Sequence, residues 1–374
     1  METGNQVEKQ SPRVPPPTNR AAIPRGTLIG MAFVVAYFVM LGYPPLRIAA
    51  LIAPAWSPGS VALAMVFCGP AVGWLLHQKW RNVFTRSVLR ITYTWVGMGF
   101  LAFCIVSMWD LMAFVAALFD RSFGASGVIT LLTGVIAYAL LNAHRIVVRR
   151  VHIDTDKVSE SVRIVQLSDV HLGSRTPAFL KRIVRRTNRL RPDIVLITGD
   201  LVDLRGLPKK VYEPLAELQV PTYFAIGNHE RYIGADEVCA ALAEHGIVSL
   251  RNQAVALDQL QIIGVDDAEA RDEVARVLPS VEIDAERFSV LMYHRPDGLE
   301  AAAEAGLDLM LSGHTHNGQI YPFNLLVRSQ FSRICGRYQH GDTTLYVSPG
   351  TGTWGPVMRL GSANEVTLIE LSAR

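Results

Sequence analysis

The sequence predicts an all-α transmembrane bundle followed by an α/β domain, and three observations carry that prediction. Hydrophobic residues make up 50% of the 374 residues and charged residues only 18%, giving a mean hydropathy of +0.23. That excess is local: it lies before Val151, in long windows that contain no charge. From Val151 onward, short apolar β-rich runs alternate with helical stretches, the pattern of an α/β fold. The length suits two or three domains. A net charge of +3 is too small to imply a nucleic-acid partner, and none is expected. Cys68, Cys104, Cys239 and Cys335 are scattered without zinc-type spacing, so neither a disulfide framework nor a thiolate metal site is expected.

Residues 1–25 are polar and carry Pro12, Pro15, Pro16, Pro17 and Pro24, which reads as a disordered cytoplasmic tail without the cleavage pattern of a secretory signal. Residues 26–146 read as a transmembrane domain of about four helices. The charge-free windows are Gly26–Leu46, a stretch from Gly59 to Leu76, Ile91–Trp109 and Ser122–Ala143. Each is long enough to cross a hydrocarbon core of about 30 Å. The breaks between the first two are Ala53-Pro54 and Ser57-Pro58-Gly59. Basic clusters at Arg13, Arg20 and Arg25, at Lys79, Arg81, Arg86 and Arg90, and at Arg145, Arg149 and Arg150 then fall on one side, which the positive-inside rule makes cytoplasmic. The expected location is therefore the inner (cytoplasmic) membrane, multi-pass, with the C-terminal domain in the cytoplasm. Asp110 leaves an alternative open. If Leu111–Phe119 crosses separately, the parity flips; if it extends the third helix, Asp110 is an interfacial residue. Tyr43, Trp56, Trp74, Trp80 and Trp109 stand near the borders as interfacial anchors do.

Residues 147–162 read as a linker, and 163–374 as the α/β domain. Strands are expected at 163–167, 193–198, 222–226, 260–265, 288–293, 307–311, 343–347 and 365–370. Helices are expected at about 177–190, 208–218 and 235–245. Five of the strands end in polar clusters. These are Ser168-Asp169-Val170-His171, Thr198-Gly199-Asp200 with Asp203, Gly227-Asn228-His229-Glu230, His294-Arg295-Pro296, and Ser312-Gly313-His314-Thr315-His316. A carboxylate and an imidazole two residues apart can point at one ion from a turn, and loops at strand ends line the crevice of an open α/β sheet. Any one cluster alone is an ordinary turn or a satisfied histidine. Five together, all nitrogen and oxygen donors, suit divalent ions such as manganese, iron or zinc.

In this order the five blocks resemble the calcineurin-like metallophosphoesterases, over Arg163 to the C-terminus. The resemblance implies an αββα sandwich with a dinuclear metal site at the carboxyl ends of the strands. It implies that Asp169, His171 and His316 hold one metal, that Asn228, His294 and His314 hold the other, and that Asp200 bridges them. His229 takes the role of a catalytic non-ligand histidine that contacts the phosphate and the leaving group, while Asp203 and Glu230 support the ligands from behind. Two such ions lower the pKa of a shared water to about 7, so that a bridging hydroxide can attack phosphorus in line.

His316-Asn317-Gly318-Gln319-Ile320 and Leu345-Tyr346-Val347-Ser348-Pro349-Gly350 resemble a membrane-associated branch of the family. That branch is similar to bacterial phosphodiesterases, to enzymes acting on UDP-diacylglucosamine, and to animal transmembrane proteins with a metallophosphoesterase domain. Asn317 stands where many relatives carry glycine. The expected function is hydrolysis of a phosphodiester or pyrophosphate bond, with a lipid membrane and a lipid-linked phosphorylated substrate as partners. The alternatives are soluble nucleotides or phosphomonoesters as substrates, or a non-catalytic metal-binding scaffold or sensor. Between Arg175 and Arg191, finally, Lys181, Arg182, Arg185, Arg186 and Arg189 form a basic helix face opposite Phe179, Leu180, Ile183, Val184 and Leu190. The apolar stripe is expected in the core. The basic face suits either solvent or anionic lipid, at about 1 kcal/mol per charge.

Overall fold

The computed structural model describes residues 25–53, 55, 59–118 and 124–374, with side chains undescribed at 25–30, 32–33 and 60–65. The expected tail, the Pro54 and Ser57-Pro58 break, Trp56 and the first residues of the fourth window lie outside the described residues. Two units emerge. The first ends at Val39, and its described part is the beginning of helix α1 (Arg25–Ile52).

The second unit contains the rest of the chain. It continues with α2 (Ser60–Trp80), α3 (Val83–Ala117) and α4 (Ala125–Asn142). Among the described residues three helices are long and apolar enough to cross a membrane, in segments Val34–Ile52, Val83–Ala117 and Ala125–Asn142. The third runs unbroken through Asp110, the extended-helix alternative. Asp110 is ion-paired to Arg47 of α1 at 2.9 Å and also accepts a hydrogen bond from the Tyr43 hydroxyl. The ion pair offsets both charges, which is how apolar helices tolerate an acid. Asn82 caps α3, its side chain accepting from Thr85 N at 2.9 Å.

The α/β domain opens with β1 (Ile146–Thr155) and continues through β2 (Val162–Leu167), α5 (Pro177–Arg189), β3 (Ile194–Thr198), β4 (Thr222–Ala225), α6 (Asn228–Ile233), α7 (Ala235–Ala243) and β5 (Ile247–Ser249). Then come β6 (Gln253–Leu257), β7 (Leu260–Gly264), α8 (Glu273–Val277), β8 (Phe288–Met292), α9 (Leu299–Glu304), β9 (Leu309–Ser312), α10 (Phe323–Gln330), β10 (Gly336–His340), β11 (Thr343–Val347) and β12 (Asn364–Ala373). They build two six-stranded sheets, ordered β1-β12-β2-β3-β4-β5 and β10-β11-β9-β8-β7-β6.

Strand periodicity explains the layers. In β3, Ile194 and Leu196 enter the cluster between the sheets, while Val195 and Ile197 face α5 and α7 on the outside. Both faces are buried, so the strand reads as a continuous apolar run. Leu291 and Met310 likewise face α8 and α9 beyond the second sheet. The result is the expected αββα arrangement.

Two expectations are corrected. The stretch 147–162 is not a plain linker, because Ile146–Thr155 pairs in parallel with Asn364–Ala373 as an edge strand. The helix expected at 208–218 is instead two short 3-10 turns, Lys209–Val211 and Glu213–Glu217. Pro214 lacks the amide that a continuous α-helix there would need. On α5 the expected stripe is buried, with Leu180, Ile183 and Val184 at 0% exposure, while Arg185, Arg186 and Arg189 are exposed.

The domain also packs on the bundle. Ile320 and Met358 share a buried cluster with Leu101 of α3 and Ala139 of α4. Beside it, Tyr321, Phe323, Leu325 and Leu326 remain exposed.

Candidate metal centre

Every candidate ligand stands just past a strand. β2 leads to Asp169 and His171, β3 to Asp200, β8 to His294, and β9 to His314 and His316, while Asn228 opens α6 after β4. Asp169, His171, Asp200, His314 and His316 all have φ between 50° and 70°. Left-handed backbone is uncommon outside glycine, and its concentration in one place means that the surrounding structure over-determines local strain. Asn317, with φ 49°, shares it, which explains why glycine suits that position and why asparagine is tolerated. Gly313 is needed for close approach, since a Cβ there would collide with the Asp169 carboxylate and the Ser168 hydroxyl.

Two groups of donor atoms result. Asp169, His171 and His316 converge within 4.8 Å, and so do Asp200, His294 and His314. His171 Nε2 and His316 Nε2 face each other at 3.0 Å, and His314 Nδ1 and His294 Nε2 at 3.3 Å. Asp169 Oδ1 lies 3.3 Å from His316 Nε2, and Asp200 Oδ2 lies 3.1 Å from His294 Nε2. Asp200 Oδ2 is also 3.9 Å from His171 Nε2, so it faces both groups. Asn228 Oδ1 is buried without a hydrogen-bond partner. Such an oxygen costs about 1–3 kcal/mol unless something takes its lone pairs.

Electrostatics fit the same reading. Burial holds the imidazoles of His171 and His316 well below their ordinary pKa and pulls His314 down to about 3. Neutral imidazoles whose lone pairs face one another are what cations between them require. His294 differs: burial works to lower it, but the Asp200 carboxylate overrides this and raises it to about 10. Its Nδ1 lies 2.8 Å from Thr198 O, which fixes the tautomer and leaves Nε2 for the site. Burial pushes Asp169 up to about 6. Asp200 is buried too, yet the charge of His294 holds it well below the carboxylate range. The residues present therefore suit divalent cations.

The supporting acids are both turned inward. Glu230 is fully buried and accepts from the amides of Asp200, Gly227 and Val202 at 2.9, 2.8 and 2.9 Å, tying three loops together. Burial, then the Asp200 charge, pushes it up to about 7. Asp203 accepts from Ser174 N at 3.1 Å and lies 3.9 Å from His171 Nδ1. Burial raises it to about 8. His229 donates its backbone amide to Asp200 Oδ1 at 2.9 Å, and its side chain is 17% exposed. It also converges with His171 and Asp200 within 4.8 Å. That geometry suits a ligand as well as the non-ligand role implied by resemblance.

Three residues were given no role from the sequence. Ser168 Oγ donates to Asp169 Oδ2 at 2.6 Å. The exposed Trp354 ring stands 5.9 Å from that of His229. Arg359, 0% exposed, donates to Gly352 O at 2.5 Å and His316 O at 3.1 Å. Its backbone amide donates to Ala139 O of α4 at 2.9 Å. A lone arginine in a glycine- and proline-rich stretch gave no hint of burial.

Comparison with known proteins adds a family match and three relatives. Residues 162–318 match the model of a family described as calcineurin-like phosphoesterase. A transmembrane protein with a metallophosphoesterase domain from Danio rerio is 35% identical over 284 residues, covering 68% of this chain and 64% of that protein. An uncharacterized metallophosphoesterase of Campylobacter jejuni is 34% identical over 241 residues, covering 61% of this chain and 63% of that one. One from Aquifex aeolicus is 31% identical over 257 residues, covering 64% and 96%. The chain thus spans less than two thirds of the length of the first two relatives.

Proposed function

The chain belongs to the calcineurin-like metallophosphoesterase family, and on that premise we propose that it is a membrane-anchored hydrolase of phosphodiester or pyrophosphate bonds, acting on a lipid-linked substrate. The observation that carries the proposal is the convergence of two Asp/His groups that share a view of Asp200, with the orphaned Asn228 oxygen beside them. Asp169, His171 and His316 would hold one cation; Asn228, His294 and His314 the other. When bound there, a pair of divalent cations supplies an activated water near neutral pH and a clamp for phosphoryl oxygens.

The chain's own residues do the rest. Asp200 balances charge between the two groups of ligands. Glu230 keeps the loops of Asp200 and Asn228 in register through its three amide contacts. His229 contacts the phosphoryl group and gives its proton to the departing oxygen. Burial lowers its pKa, and an arriving phosphate anion opposes that lowering.

Support for a lipid-linked substrate is the exposed apolar segment Tyr321–Leu326, which begins five residues after His316. Trp354 favours a second reading, in which a nucleotide or a nucleotide-linked group stacks beside His229. The test is metal analysis of the full chain in detergent, then hydrolysis of a panel containing lipid pyrophosphates, phosphodiesters, free nucleotides and phosphomonoesters. Faster turnover of lipid-linked substrates supports the reading; equal rates on free nucleotides favour the second. A metal-loaded protein inert toward every phosphorylated compound refutes both.

A further inference from the structure

Away from the metal ligands, a cavity of about 370 Å³ opens between the start of α3 and the loop entering α5. Arg86 and Arg90 of α3, Arg175 of the loop, and Lys210 and Glu213 of the 3-10 turns line it, with largely apolar walls between them. None of the seven candidate ligands contributes to it. Four basic side chains therefore meet one carboxylate.

Arg175 makes the imbalance acute. It is 3% exposed, and its Nη2 donates to Ala143 O at 2.9 Å. Its guanidinium lies on the Phe179 ring at 3.6 Å, and its buried Nε has no hydrogen-bond partner. Burial and the neighbouring arginines Arg359, Arg182 and Arg90 pull its pKa down to about 9. A buried guanidinium facing other cations is costly until an anion joins it.

The position of the cavity specifies the anion. Ala143 directly follows α4, and Arg90 is the last charge before the apolar run Ile91–Trp109 of α3. The 35 residues of α3 make a helix of about 52 Å, well beyond a hydrocarbon core of about 30 Å, so its basic first turns lie outside that core. Both helices thus enter the bilayer at the level of the cavity, where lipid headgroups lie. A phosphate fits the guanidinium forks, and a glycerol backbone fits the apolar walls.

We propose that this cavity binds the phosphate-bearing headgroup of an anionic membrane lipid and so seats the α/β domain against the bilayer. The assignment does not depend on what the metal centre hydrolyses. It is tested by native mass spectrometry of the full chain released from mixed phosphatidylglycerol and phosphatidylcholine micelles. Wild-type protein is expected to retain phosphatidylglycerol selectively. The double variant Arg86→Gln/Arg90→Gln should lose roughly tenfold or more of that retention. Arg185→Gln/Arg186→Gln removes equal charge from the exposed face of α5 and should keep it. Glu213→Gln, which leaves every basic group in place, should strengthen it.

Equal retention of the two lipids overturns the proposal. So do equal losses in both double variants, unchanged retention in Glu213→Gln, or displacement of the lipid by millimolar inorganic phosphate, which would mark a site for the free ion. Turnover is measured separately, so an inactive metal centre leaves this result intact.

Discussion

At the scale of residues, Asp200 and His294 balance each other across 3.1 Å. Without a cation His294 keeps its proton at neutral pH, since Asp200 raises it to about 10 against the effect of burial. As a ligand the same nitrogen must give that proton up. Metal uptake at pH 7–8 is therefore expected to release about one proton per chain, read by calorimetry in buffers of different ionisation enthalpy. Asp200→Asn should abolish turnover together with metal content. His229→Ala should keep the metal and slow the reaction by roughly 10²–10⁴-fold, most for poor leaving groups. Equal metal loss in the two variants would make His229 a ligand, which its convergence with His171 and Asp200 also permits. The candidate ligands were legible because their types, and the glycines at 199, 227 and 313, follow apolar runs directly. Arg359 was not legible, because nothing local in the sequence announces a guanidinium that must be buried.

At the scale of elements, the strands that carry the site could be read from their apolar runs, since burial on both faces leaves little else. β1 could not. Its charges, Arg149 and Arg150, lie on an exposed sheet edge, and its partner β12 is more than 200 residues away in sequence. Local pattern cannot see such a pairing. A fragment beginning at Val151 cuts that strand in half and removes the helices that cover Ile320 and Met358. It is expected to unfold at a lower temperature than the full chain in detergent, by about 2–4 °C for each kcal/mol lost, and to aggregate without detergent. Scanning calorimetry with light scattering checks both.

At the scale of the whole molecule, the helices and the domain of the second unit are joined by side chain to main chain contacts as well as by chain continuity. Asn142 of α4 donates to Arg359 O at 3.2 Å and Ser362 O at 2.9 Å. Val357 N donates to the Thr94 hydroxyl of α3 at 3.2 Å. Asn142→Ala leaves one buried and one part-buried carbonyl short of a donor and is expected to cost about 1–3 kcal/mol, seen as a lower melting temperature at unchanged metal content. The windows between charges predicted the helices, but not that the domain docks on them. The docking contacts involve ordinary residues such as Thr94, Asn142 and Val357, which carry no signature of their own.

Arg359 gives that docking a mechanical meaning. Its main chain is clasped by α4 at Ala139, while its guanidinium grips the carbonyl of His316. A change in the tilt of α4, such as a thinner or thicker bilayer would impose, therefore pulls on the loop that carries the candidate ligand His316. Turnover should vary with acyl-chain length in reconstituted vesicles, and Arg359→Lys, with its shorter reach, should blunt that variation.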